Sequence, residues 1–111
     1  MSRTIVTKNN IEFFTNINSE QLIGKLCKKV NAKHFSYKYS NNEDISMSYD
    51  MTNEECIDTS QKLRTLIDKT DQIYSDYKIY FSKDSTSDTL KEFIINYSDI
   101  FEKCGGYECL G

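Results

Sequence analysis

Apolar residues recur along this chain in two rhythms, one alternating and one returning every three or four positions. Alternation sends successive side chains to opposite faces of a strand, whereas the three-four recurrence gathers them on one stripe of a helix. Residues 4–14, TIVTKNNIEFF, read as two short strands around Lys8, Asn9 and Asn10, because asparagine tolerates the left-handed backbone of a tight hairpin. Asn18 or Ser19 then caps a helix whose Leu22, Ile23, Leu26, Cys27 and Val30 follow helical spacing.

The clearest alternation follows. Phe35, Tyr37 and Tyr39 alternate with His34, Ser36 and Lys38, and Ile45, Met47, Tyr49 and Met51 alternate with Ser46, Ser48 and Asp50. Two strands around residues 41–44 make a second hairpin, each with one apolar face. Both apolar sets carry odd numbers, so directly paired residues must have an even sum or one strand turns its core face to water. A loop of three or five residues, or a bulge, satisfies this. With five, His34 faces Asp50 and Ser36 faces Ser48 on the polar side.

Thr52, Asn53, Glu54 and Glu55 form a capping box that starts another helix. Cys56, Ser60, Leu63, Ile67, Thr70, Tyr74, Tyr77 and Phe81 continue at alternating spacings of four and three. The preferred reading is one long helix to about Tyr80. The alternative ends the helix near residues 69–71 and makes YKIYF, residues 77–81, a strand. A polar break at residues 85–88 precedes a last helix with Leu90, Phe93, Ile94, Tyr97, Phe101 and Cys104 on one stripe. The pattern thus predicts one α+β domain over residues 1–111, in the order ββαββαα. Its antiparallel sheet has four strands from two hairpins, or five if YECL at 107–110 adds one, with two to three helices on one face.

Composition changes this picture little. A chain of 111 residues with 38% hydrophobic residues, six Phe and eight Tyr among them, is sized for one core. There is no Pro, no Trp and one Ala, beside many Ile, Lys, Asn and Tyr, all read from A/T-rich codons. A low-GC bacterium or its phage is the expected source. The absence of an apolar start and of any run of about 18 apolar residues predicts no signal peptide and no membrane span. The expected compartment is the reducing cytoplasm of a bacterium or of a phage-infected cell, where four cysteines default to free thiols.

Candidate chemistry is sparse. Cys104 and Cys109 enclose Gly105, Gly106, Tyr107 and Glu108; zinc wants two close cysteine pairs, and only this wide one exists. The simpler reading is a helix stop, with Gly105 left-handed after the last turn, Gly106 bending the chain, and Tyr107 returning to the apolar face. A disulfide across Cys104 and Cys109 is disfavoured in the cytosol, and Cys27 and Cys56 read as small hydrophobes. A relay through His34, Asp50, Ser36 and Ser48 lacks oxyanion donors on a flat sheet face and has no G-x-S-x-G elbow. The four glycines form no phosphate loop. No metal and no cofactor are expected.

Charge is the remaining pattern. Lys25, Lys28, Lys29, Lys33, His34 and Lys38 form a stretch with no acid, and Glu43, Asp44, Asp50, Glu54, Glu55 and Asp58 form one with no base. A net charge of -3 argues against nucleic acid as partner. The expected function is therefore a small non-enzymatic protein that binds a protein partner stoichiometrically, such as a phage-borne or mobile-element inhibitor of host machinery. Asp50, Glu54, Glu55 and Asp58 are the contact candidates, with tyrosines supplying contact area. The alternative is capture of an anionic small molecule such as a nucleotide by Lys25, Lys28, Lys29, Lys33, His34 and Lys38. A homo-oligomer is compatible with either; a membrane is not.

Overall fold

The computed structural model describes residues 2–34 and 50–107. Strands β1 (Ser2–Val6) and β2 (Glu12–Asn16) pair antiparallel, from Ser2 opposite Asn16 to Val6 opposite Glu12. In the turn between them Asn10 takes a φ of 60°, the conformation for which asparagine suits a tight hairpin. Thr7 closes the turn: its N–H donates to the Ile11 carbonyl at 3.0 Å, and its hydroxyl accepts from the Ile11 N–H at 3.2 Å.

Asn16 ends β2 and caps α1 (Ile17–Lys29), its side chain accepting from the Ser19 N–H at 2.8 Å. The helix thus starts just ahead of the predicted Asn18 or Ser19 cap. At its far end Asn31 adopts a φ of 55°. The Asn31 N–H reaches the Lys28 carbonyl at 3.2 Å and the Ala32 N–H reaches that of Cys27 at 2.8 Å, the paired bonds of a Schellman stop.

The Thr52–Glu55 capping box forms in full and starts α2 (Asn53–Arg64). The chain then stays largely helical to Tyr80, but in pieces: a 3-10 turn Ile67–Lys69, helix α3 (Thr70–Tyr77), and a second 3-10 turn Lys78–Tyr80. Residues 77–81 are therefore not a strand. Helix α4 (Ser87–Lys103) is capped by Thr86, whose hydroxyl accepts from the Asp88 N–H at 3.3 Å.

The core lies between helices. Helix α2 buries Cys56, Thr59, Ser60 and Leu63, and packs chiefly on α4, which buries Leu90, Ile94, Tyr97, Ser98 and Phe101. Leu22, Ile23, Leu26 and Cys27 of α1 and Ile5 of the hairpin join it, as do Met51, Leu66, Ile73, Tyr77, Cys104 and Tyr107. The Ser60 hydroxyl donates to the Ser98 carbonyl at 2.8 Å inside this contact. Arg64 reaches Asp99 at 2.8 Å and Glu102 at 3.2 Å along its outer edge.

This overturns the predicted α+β sheet of four or five strands carrying helices on one face. Among the described residues there is one two-stranded sheet, and the protein is mostly helical, in the order ββαααα with two 3-10 turns. The physical reason is that α2 and α4 present complementary apolar stripes, so each buries its stripe on the other and neither needs a sheet beneath it. The predicted second hairpin lies almost wholly outside the described residues. Met51, which does not, pairs instead with Tyr107: the Met51 N–H donates to the Tyr107 carbonyl at 2.8 Å and the return bond measures 2.9 Å. Of the YECL segment only Tyr107 is described.

The end of α4 is held by the hairpin turn. The Asn9 N–H takes the Cys104 carbonyl at 2.9 Å, the Asn9 amide side chain takes that of Lys103 at 2.9 Å, and the Lys8 N–H takes that of Gly106 at 3.0 Å. Gly105 and Gly106 have φ of 72° and 118°, which any side chain would resist. A Cβ on Gly106 would also stand 2.9 Å from the Met51 carbonyl oxygen. Among the described residues no helix is long and apolar enough to cross a membrane.

Candidate interaction surfaces

Helix α2 begins inside the acidic stretch, and folding brings Lys33 of the basic stretch against it. Lys33 Nζ binds Glu55 Oε2 at 2.9 Å. Glu55 also reaches back through Oε1 to the Thr52 N–H at 2.9 Å. These bonds, the Thr52 backbone first and the Lys33 ammonium second, hold the Glu55 carboxyl below the usual carboxylate range. Asp58 pairs with Lys62 at 3.0 Å one turn along α2, and Lys62 donates to the Asn31 carbonyl at 2.9 Å. Lys33 and Glu55 thus join the two stretches in space.

Lys33, Asp50 and Glu55 gather around a recess of about 230 Å³ that Lys8, Met51, Thr52 and Tyr107 also line. Both signs of charge face it, and its only predicted anion-binding lysine, Lys33, already holds Glu55. Glu54 and Asp58 are exposed elsewhere on α2. Lys28 and Lys29 end α1, where they complement the helix dipole. His34 is half-buried against Gly24, its Cε1 atom 3.5 Å from where a Cβ would sit there. Lys38 lies outside the described residues. The structure thus brings Lys33, Asp50 and Glu55 to one recess, which the other described candidates do not line. Among the described residues no group of three or more His, Cys, Asp or Glu side chains is placed to hold a metal.

Lys25 leads to a surface that the sequence did not single out. Its Nζ stands 5.3 Å from the centroid of the Tyr80 ring, and the neighbouring Tyr80 raises its pKa. The Tyr80 carbonyl accepts from the Asn18 side chain at 3.0 Å, and Tyr74 lies against Phe81 with ring centroids 5.9 Å apart. These contacts fix the 3-10 turn Lys78–Tyr80 on the body. Ile79, at the centre of that turn, is 86% exposed. Val6, at 50%, is the other large exposed apolar side chain among the described residues. The sequence held one signal for this corner: Ile79 falls off the stripe that runs through Tyr77 and Phe81.

Comparison with known proteins finds no family model, no curated protein and no solved structure that matches this chain.

Proposed function

We propose that this protein works by stoichiometric binding to a protein partner, and that the Lys78–Phe81 corner makes the principal contact. The supporting observation is Ile79, held 86% exposed on a turn anchored to α1 and α3. Burying such a side chain contributes about 1.5–3 kcal/mol, and here a partner collects it without ordering a loop. Half-buried Tyr74, Tyr80 and Phe81 surround or flank the turn, residue types that anchor protein interfaces. The partner surface that fits is an apolar recess able to take one aliphatic side chain, with acceptors at its rim for Lys25 and the Tyr80 hydroxyl.

This moves the proposed contact from the acidic residues to the apolar corner. Glu55 and Asp58 are already engaged by Lys33 and Lys62, so a basic partner would compete with internal pairs. An anion would meet the same obstacle at Lys33.

The test compares retention of a partner from the source cytosol by the immobilised full chain and by three variants confirmed folded by circular dichroism. Ile79→Glu should lose the partner and Lys25→Glu with Lys28→Glu should weaken its retention, while Glu54→Lys with Asp58→Lys should keep most of it. Loss in the acidic pair with retention in Ile79→Glu would return the contact to α2. A small molecule carried by the wild-type chain in native mass spectrometry, and lost in the lysine pair, would refute protein binding altogether.

A further inference from the structure

Ile79 shares its corner with positive charge. Asn18, Lys25 and Lys29 follow one another along a single stripe of α1, with Lys28 beside it. That stripe holds the Lys78–Tyr80 turn at two points. The Asn18 side chain donates to the Tyr80 carbonyl at 3.0 Å, and Lys25 Nζ stands 5.3 Å from the Tyr80 ring centroid. Lys28 and Lys29, one helical turn beyond Lys25, carry the stripe onward from the corner, and Lys78 directly precedes Ile79. All four lysines are exposed.

Lys33, Lys62 and Arg64 each meet a carboxylate, whereas Lys25, Lys28, Lys29 and Lys78 form no ion pair among the described residues. The helix dipole accounts for Lys28 and Lys29 in the last turn of α1, but not for Lys25 in mid-helix or for Lys78. Asp76 is the one acid within three positions of Ile79, so the corner keeps a positive surplus. The chain as a whole carries -3, so this surplus belongs to one face and not to the net charge.

Resting on the reading that the Lys78–Phe81 corner meets a protein, we infer that this partner is acidic: its recess for Ile79 is bordered by carboxylates that meet Lys25, Lys28, Lys29 and Lys78. The roles divide by position. Ile79 is the apolar anchor at the centre, and losing water there slows dissociation. The lysines form the rim, where long apolar stems carry the ammonium groups across to the partner's acids while leaving them wet. Rim charges of this kind speed encounter and favour partners of opposite sign, and both effects shrink as salt rises.

The test titrates the isotope-labelled full chain with three synthetic peptides of one length, read by amide NMR shifts. The peptides share a central leucine and differ only in its flanks, which are glutamate, glutamine or lysine. The glutamate peptide should shift amides at residues 25–29 and 78–81 and bind several-fold more tightly than the glutamine peptide, with the lysine peptide weakest. Its lead should vanish in high sodium chloride and in a Lys28→Gln, Lys29→Gln variant confirmed folded by circular dichroism. Ile79→Ser should weaken all three peptides alike. Equal binding of the three at the corner would overturn the acidic partner while leaving the apolar contact standing. No shift at the corner with any peptide would overturn the contact itself. A glutamate lead that maps outside residues 25–29 and 78–81 would refute the inference as well. Co-sedimentation of the chain with phosphatidylglycerol vesicles, lost in the lysine pair, would overturn it in favour of an anionic lipid surface.

Discussion

Helix α4 and the segment from Thr65 to Tyr80 begin from similar patterns and end differently. Both carry apolar residues at three-four spacing, yet α4 runs unbroken over 17 residues while the other segment breaks at two 3-10 turns. Helix α4 has a side-chain cap at its start, two glycines after its end, and the full face of α2 against it. Neither 3-10 turn nor α3 has a side-chain cap, and each carries at most three buried residues. A stripe in sequence shows which residues seek the core. It does not determine whether one straight helix delivers them there, because the surface receiving them sets the path.

The sharpest way to break this contrast is to cut into each region equally. Phe101→Ala, at a fully buried site in α4, should cost about 3–5 kcal/mol, whereas Ile79→Ala should fall within about 0.5 kcal/mol of wild type. Urea titration followed by circular dichroism measures both. Similar costs at the two sites would place Ile79 in the core and remove the proposed contact.

The tail comes next. Gly106→Ala meets a backbone oxygen as well as an unfavourable φ, so it should destabilise by more than about 1 kcal/mol. Gly105→Ala also has positive φ, but its new methyl meets only the end of the Asn9 side chain, which can turn away. Thermal melts should rank Gly106→Ala as the more damaging. The reverse order would mean that Asn9, not the Met51–Tyr107 bridge, is what holds the tail.

A smaller effect is expected at the start of α2. Thr52→Ala removes one half of the capping box and should cost about 0.5–2 kcal/mol by urea titration. Asp99, beside Arg64, and Glu55 are both held below the usual carboxylate range in the folded protein. Their contribution is therefore present above the unfolded values and is lost as pH falls through the folded ones, below about pH 4. An Arg64→Ala variant should flatten the acid limb of the melting curve slightly, and an unchanged limb would show the ion pair to be without effect. Both carboxylates face solvent, which screens such pairs, so the effect should be the smallest of those named here.

What the sequence disclosed follows the range of the interactions involved. The first hairpin, the capping box, the break before α4 and the glycine stop are written in neighbouring residues, and each was legible. Asn10 and Gly105 announce left-handed backbone by residue type alone. The breaks near Thr65 and Tyr77 were not legible, because no Gly or Pro marks them and the bend answers to a distant helix. The buried face there uses Leu66 and Ile73 rather than the predicted Ile67 and Tyr74, a choice the three-four pattern permits equally. The fold class differs from the sequence expectation for a related reason: alternation in residues 34–51 predicts a platform for helices, whereas the described helices pack on one another.

The candidate site was less legible than the fold. Acidic and basic stretches stand apart in sequence but meet through Lys33 and Glu55, a contact across 22 positions. Cys56 and Cys104 each read as an ordinary apolar position, and both are buried. Ile79 falls off the stripe through Tyr77 and Phe81, but the extent of its exposure belongs to the folded surface and not to the residue.

The central claim is that the Lys78–Phe81 corner meets the partner. Amide hydrogen exchange, compared between the free chain and the chain bound to the partner it retains, tests this residue by residue. New protection should concentrate at residues 78–81 and the adjoining turns of α3, with residues 50–58 unchanged. Protection gained at residues 50–58, with none at the corner, would contradict it.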